Sequence, residues 1–162
     1  AFLCPYPNKL GQSLSSIITE TSRPMVYYTI SAYIIYVHAL GISVDALYAN
    51  APVQIVSTGL RDIIVPIRSL HTLQQIQPSF DDIKRISQKY NVVGLHLFTL
   101  DTDSDAIAQC RNFAPLYDIP EESATGTSTG ALICYLHQYQ LLPSIATSPF
   151  VAEQGYTMNL PS

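Results

Sequence analysis

The segment Arg111–Gly130, RNFAPLYDIPEESATGTSTG, sets two adjacent carboxylates and a hydroxyl-rich glycine turn directly before the apolar run ALICYLHQYQLL. Glu121 and Glu122 are the acid–base groups of this stretch, and Thr125, Thr127, Ser128 and Thr129 supply hydroxyls that cap amides or hold an anion. From Ala131 the apolar residues recur at helical spacing, so Gly126 falls at the mouth of a helix. The first amides of a helix have no partner inside it, and the aligned peptide dipoles leave partial positive charge there. A carboxylate or phosphate is attracted to such a spot. Glycine lets it approach with no Cβ in the way. The chemistry this pattern could perform is proton transfer on a bound small anion. The same residues also make an ordinary helix start, in which acidic side chains only favour the dipole. The turn lacks a Gly-Lys-Ser/Thr ending, which argues against a Walker-type phosphate loop.

The elements that must position these groups are legible in outline. Gln109 to Phe113 has β character, Pro115 breaks it, and Asp118 to Ser123 reads as a polar turn leading into a helix from about Thr127 to Leu141. Upstream, Val53–Ser57 and Ile63–Ile67 are β-branched runs flanking Ser57-Thr58-Gly59 and should pair as a hairpin. Ala39–Tyr48 reads as a short helix around a Gly41 break, and Ser69–Ile76 as a second short helix. Ser79–Tyr90 opens with a serine cap and two acidic residues and puts Phe80, Ile83 and Ile86 on one stripe. Val92–Leu100 and Ala106–Phe113 read as strands, and Pro149–Gln154 begins a last one. No repeat or low-complexity tract interrupts the pattern. The expected fold class is α+β, with mixed strands around one apolar helix.

Composition narrows the partners. Charged residues make up 12% of the chain, against about a quarter in ordinary soluble domains, and the eleven tyrosines add amphipathic surface. Such a surface suits a lobe interface or a homodimer. A net charge of −4 with no basic patch argues against nucleic acid or an anionic membrane. Lys84, Arg85 and Lys89 lie with Asp81 and Asp82 on a solvated helix face. The longest apolar stretch, Met25–Leu40, is shorter than a bilayer span and carries Tyr, Ser and Thr, so it reads as buried strand or helix. Cys4, Cys110 and Cys134 have no zinc-like spacing, and reduced thiols in a cytoplasmic protein are the expectation. His38, His71, His96 and His137 are scattered without metal-ligand spacing and read as surface or core residues. No metal site is expected.

The same residues resemble the PhzF-like family, named for phenazine biosynthesis, with its approximate pattern R-x-F-x-P and then E-D-x-A-T-G-S before a helix. Arg111, Phe113 and Pro115 match the first part, and Glu121, Ala124, Thr125 and Gly126 the second. APVQIVSTGLRDIIVPI (51–67) is similar to the family's strand, S-T-G turn and return strand, and FVAEQGYTMNLPS to its closing Q-G-x-x-x-x-R-P-S element. The resemblance covers about Ala39 to Ser162. It implies a diaminopimelate epimerase-like fold, a mixed sheet curled around a central helix, and an isomerase or epimerase-type enzyme that moves a proton on a small carboxylate without a cofactor. It also implies the roles. Glu122 would be catalytic, and Gly126, Thr127 and Thr125 would bind the substrate.

Three departures accompany the match. Glu122 stands where the family usually has Asp, Thr127 where it has Ser, and Asn159-Leu160 where it has Gly-Arg. The family's first lobe supplies a Glu and a Gly-His motif, whereas Ala1–His38 contains no Gly-His pair and Glu20 as its only carboxylate. The expectation is therefore a C-terminal lobe at 39–162, with 1–38 unassigned, that needs a missing first lobe for activity. The alternative is a non-catalytic ligand-binding or structural module on the same scaffold.

Overall fold

The computed structural model describes residues 2–3, 30–142 and 150–162, with the side chains of residues 2–3 and 30–32 left aside. Cys4, Glu20, Pro149 and the first part of the Met25–Leu40 stretch lie outside the described residues. The frame is a mixed seven-stranded sheet. Its strands are β1 (Phe2–Leu3), β2 (Gln54–Ser57), β3 (Arg61–Pro66), β4 (Leu95–Thr99), β5 (Ala108–Ala114), β6 (Ile119–Glu122) and β7 (Ala152–Gln154). They lie in sequence order from β1 to β6, and β7 joins β5. β2 and β3 form the expected antiparallel hairpin, and β3–β4 and β5–β7 are parallel pairs.

Among the described residues four helices cover this sheet: α1 (Ile30–Leu40), α2 (Leu70–Gln75), α3 (Phe80–Tyr90) and α4 (Gly126–Gln138). The Ser79 cap expected of the sequence is in place, accepting from the Asp82 amide, and Ser69 likewise accepts from the Thr72 amide. Each satisfies an amide that the first turn leaves free. Gly41, at φ +65°, ends α1, and only a single 3₁₀ turn, Val44–Ala46, follows instead of a helix running on toward Tyr48.

Side-chain alternation divides the core. Ile63, Val65, Leu95, Leu97 and Phe113 point to one face, under α1–α3, and join Tyr36, Val37, Leu73, Ile83 and Ile86 in a dry cluster. Val56, Ile64, Phe98, Ala108 and Cys110 point to the other, where Ala131, Leu132, Tyr135 and Leu136 of α4 pack on them. Tyr135 is fully buried; its hydroxyl donates to the Pro52 carbonyl at 2.6 Å, and its ring meets Phe98 edge-on.

The region expected as a polar turn, Asp118–Ser123, is instead strand for most of its length, since β6 pairs with β5 through Asn112↔Glu122 and Ala114↔Ile119. Pro115–Tyr117 forms a tight 3₁₀ turn and Asp118 takes a left-handed conformation, φ 61°, which reverses the chain early enough for pairing to resume. Burial pushes the free Cys110 thiol up to about 12, so it is a packed thiol and no nucleophile. Cys134 is disulfide-bonded, a departure from the reduced thiols expected of the sequence.

Candidate active site

Because β6 is a strand, its neighbouring glutamates point to opposite faces of the sheet. Glu121 turns toward the α2 side, where its two oxygens receive Arg111 Nε at 2.8 Å and Nη2 at 2.9 Å. Arg111 Nη1 donates to the carbonyls of Leu73 and Ile76, and the Thr157 hydroxyl donates to Glu121 Oε1. Arg111 is buried and Glu121 half-buried, and their paired bonds tie β5, β6, α2 and the closing segment together. The role of this clamp is architectural.

Glu122 turns the other way, beneath the N-terminus of α4. Its Oε2 accepts from the Thr125 hydroxyl at 2.9 Å and stands 3.5 Å from Asn112 Nδ2. Thr125 in turn accepts from Gln154 Nε2 at 3.0 Å, and the same amide group donates to the Glu122 carbonyl. With its hydroxyl committed downward, Thr125 does not cap the helix. The amides of Gly126, Thr127 and Ser128 take no hydrogen bond to the described residues. Gly126 and Thr127 are exposed, and a Cβ built on Gly126 meets nothing within 4 Å. The mouth is therefore open and electropositive beside a held carboxylate.

The surrounding turn is fastened from two sides. Thr58 Oγ1 donates to the Thr127 carbonyl at 3.1 Å, which brings the Ser57-Thr58-Gly59 turn against the start of α4. At the other side Gln154 and Ser162 exchange backbone hydrogen bonds, and the Ser162 hydroxyl donates to the Ser123 carbonyl. Gly155 makes this closure feasible: it sits at φ +83°, and a Cβ there would lie 2.1 Å from the Leu160 carbonyl oxygen.

Four further polar residues belong to the site and were not expected there: Asp62, His96, Asn112 and Gln154, all buried. One rung of the sheet carries Ile64, His96, Asn112 and Glu122 side by side across β3, β4, β5 and β6. Asp62 lies two residues along β3 on the same face, where its Oδ2 accepts from Ser128 at 2.7 Å. Burial raises the Asp62 pKa; the Ser128 hydroxyl and the Gly94 amide oppose the rise, and the charge of Glu122 adds to it. The Gly94 amide favours the carboxylate without a full hydrogen bond, since Oδ1 has no partner. His96 is completely buried, and desolvation lowers its pKa to about 4 despite the Asn112 hydrogen bond. The signal for these residues was a lone polar side chain interrupting an apolar strand, as in Leu95-His96-Leu97.

Other sequence candidates lie elsewhere. His38, His71 and His137 are exposed. A groove of about 290 Å³ lined by Ile34, His38, Asp82, Arg85, Ile86 and Lys89 opens between α1 and α3, on the opposite face from Glu122. It is apolar, and Asp82 within it faces Arg85 at 2.7 Å and His38 at 3.7 Å. Among the described residues no group of His, Cys, Asp or Glu side chains is placed to hold a metal. None of the described helices is long and apolar enough to cross a membrane.

An α+β lobe that presents an uncapped helix N-terminus beside a fixed carboxylate defines the class. The chain belongs to the phenazine biosynthesis-like family (PhzC-PhzF), whose model matches residues 5–160. It is 36% identical over 104 residues to an uncharacterized isomerase of Clostridium acetobutylicum, covering 64% of this chain and 34% of that protein. An uncharacterized isomerase of Deinococcus radiodurans is 32% identical over 105 residues, covering 65% and 33%. The chain thus spans about a third of the length of these relatives. Among solved structures, the PhzF-family phenazine biosynthesis protein of Bacillus anthracis superposes with a TM-score of 0.61 at 23% identity, over 78% of this chain and 43% of that one. The Enterococcus faecalis PhzF-family protein gives 0.51 at 19% identity, over 74% and 38%. These likenesses show the fold, which is the diaminopimelate epimerase-like α+β fold.

Proposed function

We propose that this chain is the C-terminal lobe of an isomerase or epimerase-type enzyme that moves a proton on a small carboxylate substrate. The observation that carries the reading is the juxtaposition of the Glu122 carboxylate with the open, uncapped amides at Gly126 and Thr127. The amides and the Thr127 hydroxyl would hold the substrate carboxylate. Glu122 would take or return a proton at the carbon beside it. The opposing acid–base group would come from the first lobe of the complete protein. A carbon acid next to a carbonyl or unsaturated system exchanges protons between two such groups directly, so the reading calls on no cofactor. Its support from relatives is the isomerase name borne by the Clostridium and Deinococcus proteins.

The longer Glu122 side chain, where the family usually has Asp, fits the site through Thr125 and Asn112, which hold its Oε2. Oε1 has no partner among the described residues and keeps contact with solvent. The test uses the complete protein and a panel of small amino and unsaturated carboxylates in deuterated water, with C–H exchange followed by NMR. Glu122→Gln should cut exchange by about a hundredfold or more. Full exchange by that variant would remove Glu122 from the chemistry, and no exchange with any member by the wild type would favour the non-catalytic module.

A further inference from the structure

The hydrogen-bond network beneath α4 has a direction that can be read atom by atom. Gln154 Nε2 donates to the Thr125 hydroxyl, so that hydroxyl donates its own proton to Glu122 Oε2. Asn112 faces Glu122 Oε2 with Nδ2, the only orientation that offers the carboxylate a donor. Its Oδ1 is then the atom 3.1 Å from His96 Nδ1, which must carry the ring proton. His96 Nε2 is left as a bare acceptor, fully buried and without a partner among the described residues. On the adjacent strand and the same face stands Asp62, whose buried Oδ1 also has no hydrogen-bond partner among the described residues.

The geometry points to a positioning relay in which neutral His96, acting through Asn112, holds one oxygen of Glu122 and leaves the other for the substrate. This rests on the reading of Glu122 as the acid–base group. Burial agrees with this reading, since it lowers the His96 pKa to about 4 and keeps the ring uncharged at neutral pH. The 3.5 Å Asn112–Glu122 contact is long, as such bonds often are before substrate closes the site. His96 and Asn112 touch no substrate in this scheme. They are positioning residues.

The experiment is long-range ¹H–¹⁵N spectroscopy of the histidine rings in the ¹⁵N-labelled complete protein at neutral pH. The expected result is a neutral His96 ring protonated on Nδ1, and an Nε2–H tautomer or an imidazolium overturns the relay whether or not any variant folds. In the exchange assay, His96→Leu and Asn112→Leu should each lower kcat roughly ten- to a hundredfold while KM stays within about twofold. His96→Gln, whose amide N–H can replace the ring donor, should recover most of the rate. Undiminished kcat in both leucine variants, with exchange lost in Glu122→Gln, sinks the relay and leaves Glu122 in place. Full exchange by Glu122→Gln sinks the reading on which the relay rests.

Discussion

Two carboxylates one residue apart have opposite fates in this protein. Glu121 meets Arg111 in a two-pronged pair whose remaining donor reaches the Leu73 and Ile76 carbonyls, and the cluster around it is dry and apolar. Glu122 sits among Asp62, His96, Asn112 and Thr125, where two buried atoms have no partner and helix amides stand open. Satisfied buried charge is the mark of architecture, because each unpaired group there would cost stability. Polar side chains held beside open helix amides mark a candidate site, because those amides are free to take a ligand. The difference separates clamp from candidate chemistry without reference to any relative.

The sharpest way to break this comparison is to cut the clamp. Glu121→Gln strands a buried guanidinium and should cost about 3 kcal/mol in chemical denaturation of the complete protein, whereas Glu122→Gln should cost less than about 1 kcal/mol. Equal losses would erase the distinction. Next comes the pH response of the other region. His96 is held below its unfolded value, so its contribution is fully present above about pH 6.5 and is lost as the pH falls through about 4. Over that window the native state should lose about 3 kcal/mol through this one ring. His96→Gln should flatten the stability difference across the same window, and an unchanged pH profile would place the ring in a more polar setting than its burial implies.

Smaller effects come from two glycines. Gly155→Ala meets both the positive φ and the Leu160 carbonyl, and should cost on the order of 2 kcal/mol in a denaturation midpoint while loosening the Gln154 anchor of Glu122. Gly126→Ala goes the other way. Its φ is ordinary and its Cβ is unobstructed, so thermal unfolding should show a gain of about 0.5 kcal/mol. The added methyl stands where the substrate carboxylate is proposed to dock, so KM should rise even as stability improves. A stabilised variant with unaltered KM would move the docking point away from Gly126.

What the residues alone determined follows from local rules. The cap at Ser79, the Ser57-Thr58-Gly59 hairpin and the helix expected from about Thr127 each depend on neighbours within a few positions, and so they were readable along the chain. The glutamate pair before the helix was visible too, though taking Asp118–Ser123 for a turn hid the period-two alternation that sends Glu121 and Glu122 to opposite faces. Tertiary structure alone decided the company Glu122 keeps. Asp62, His96 and Asn112 come from three strands, and they meet only because strand register, a long-range property set by which face is buried, aligns them under the start of α4.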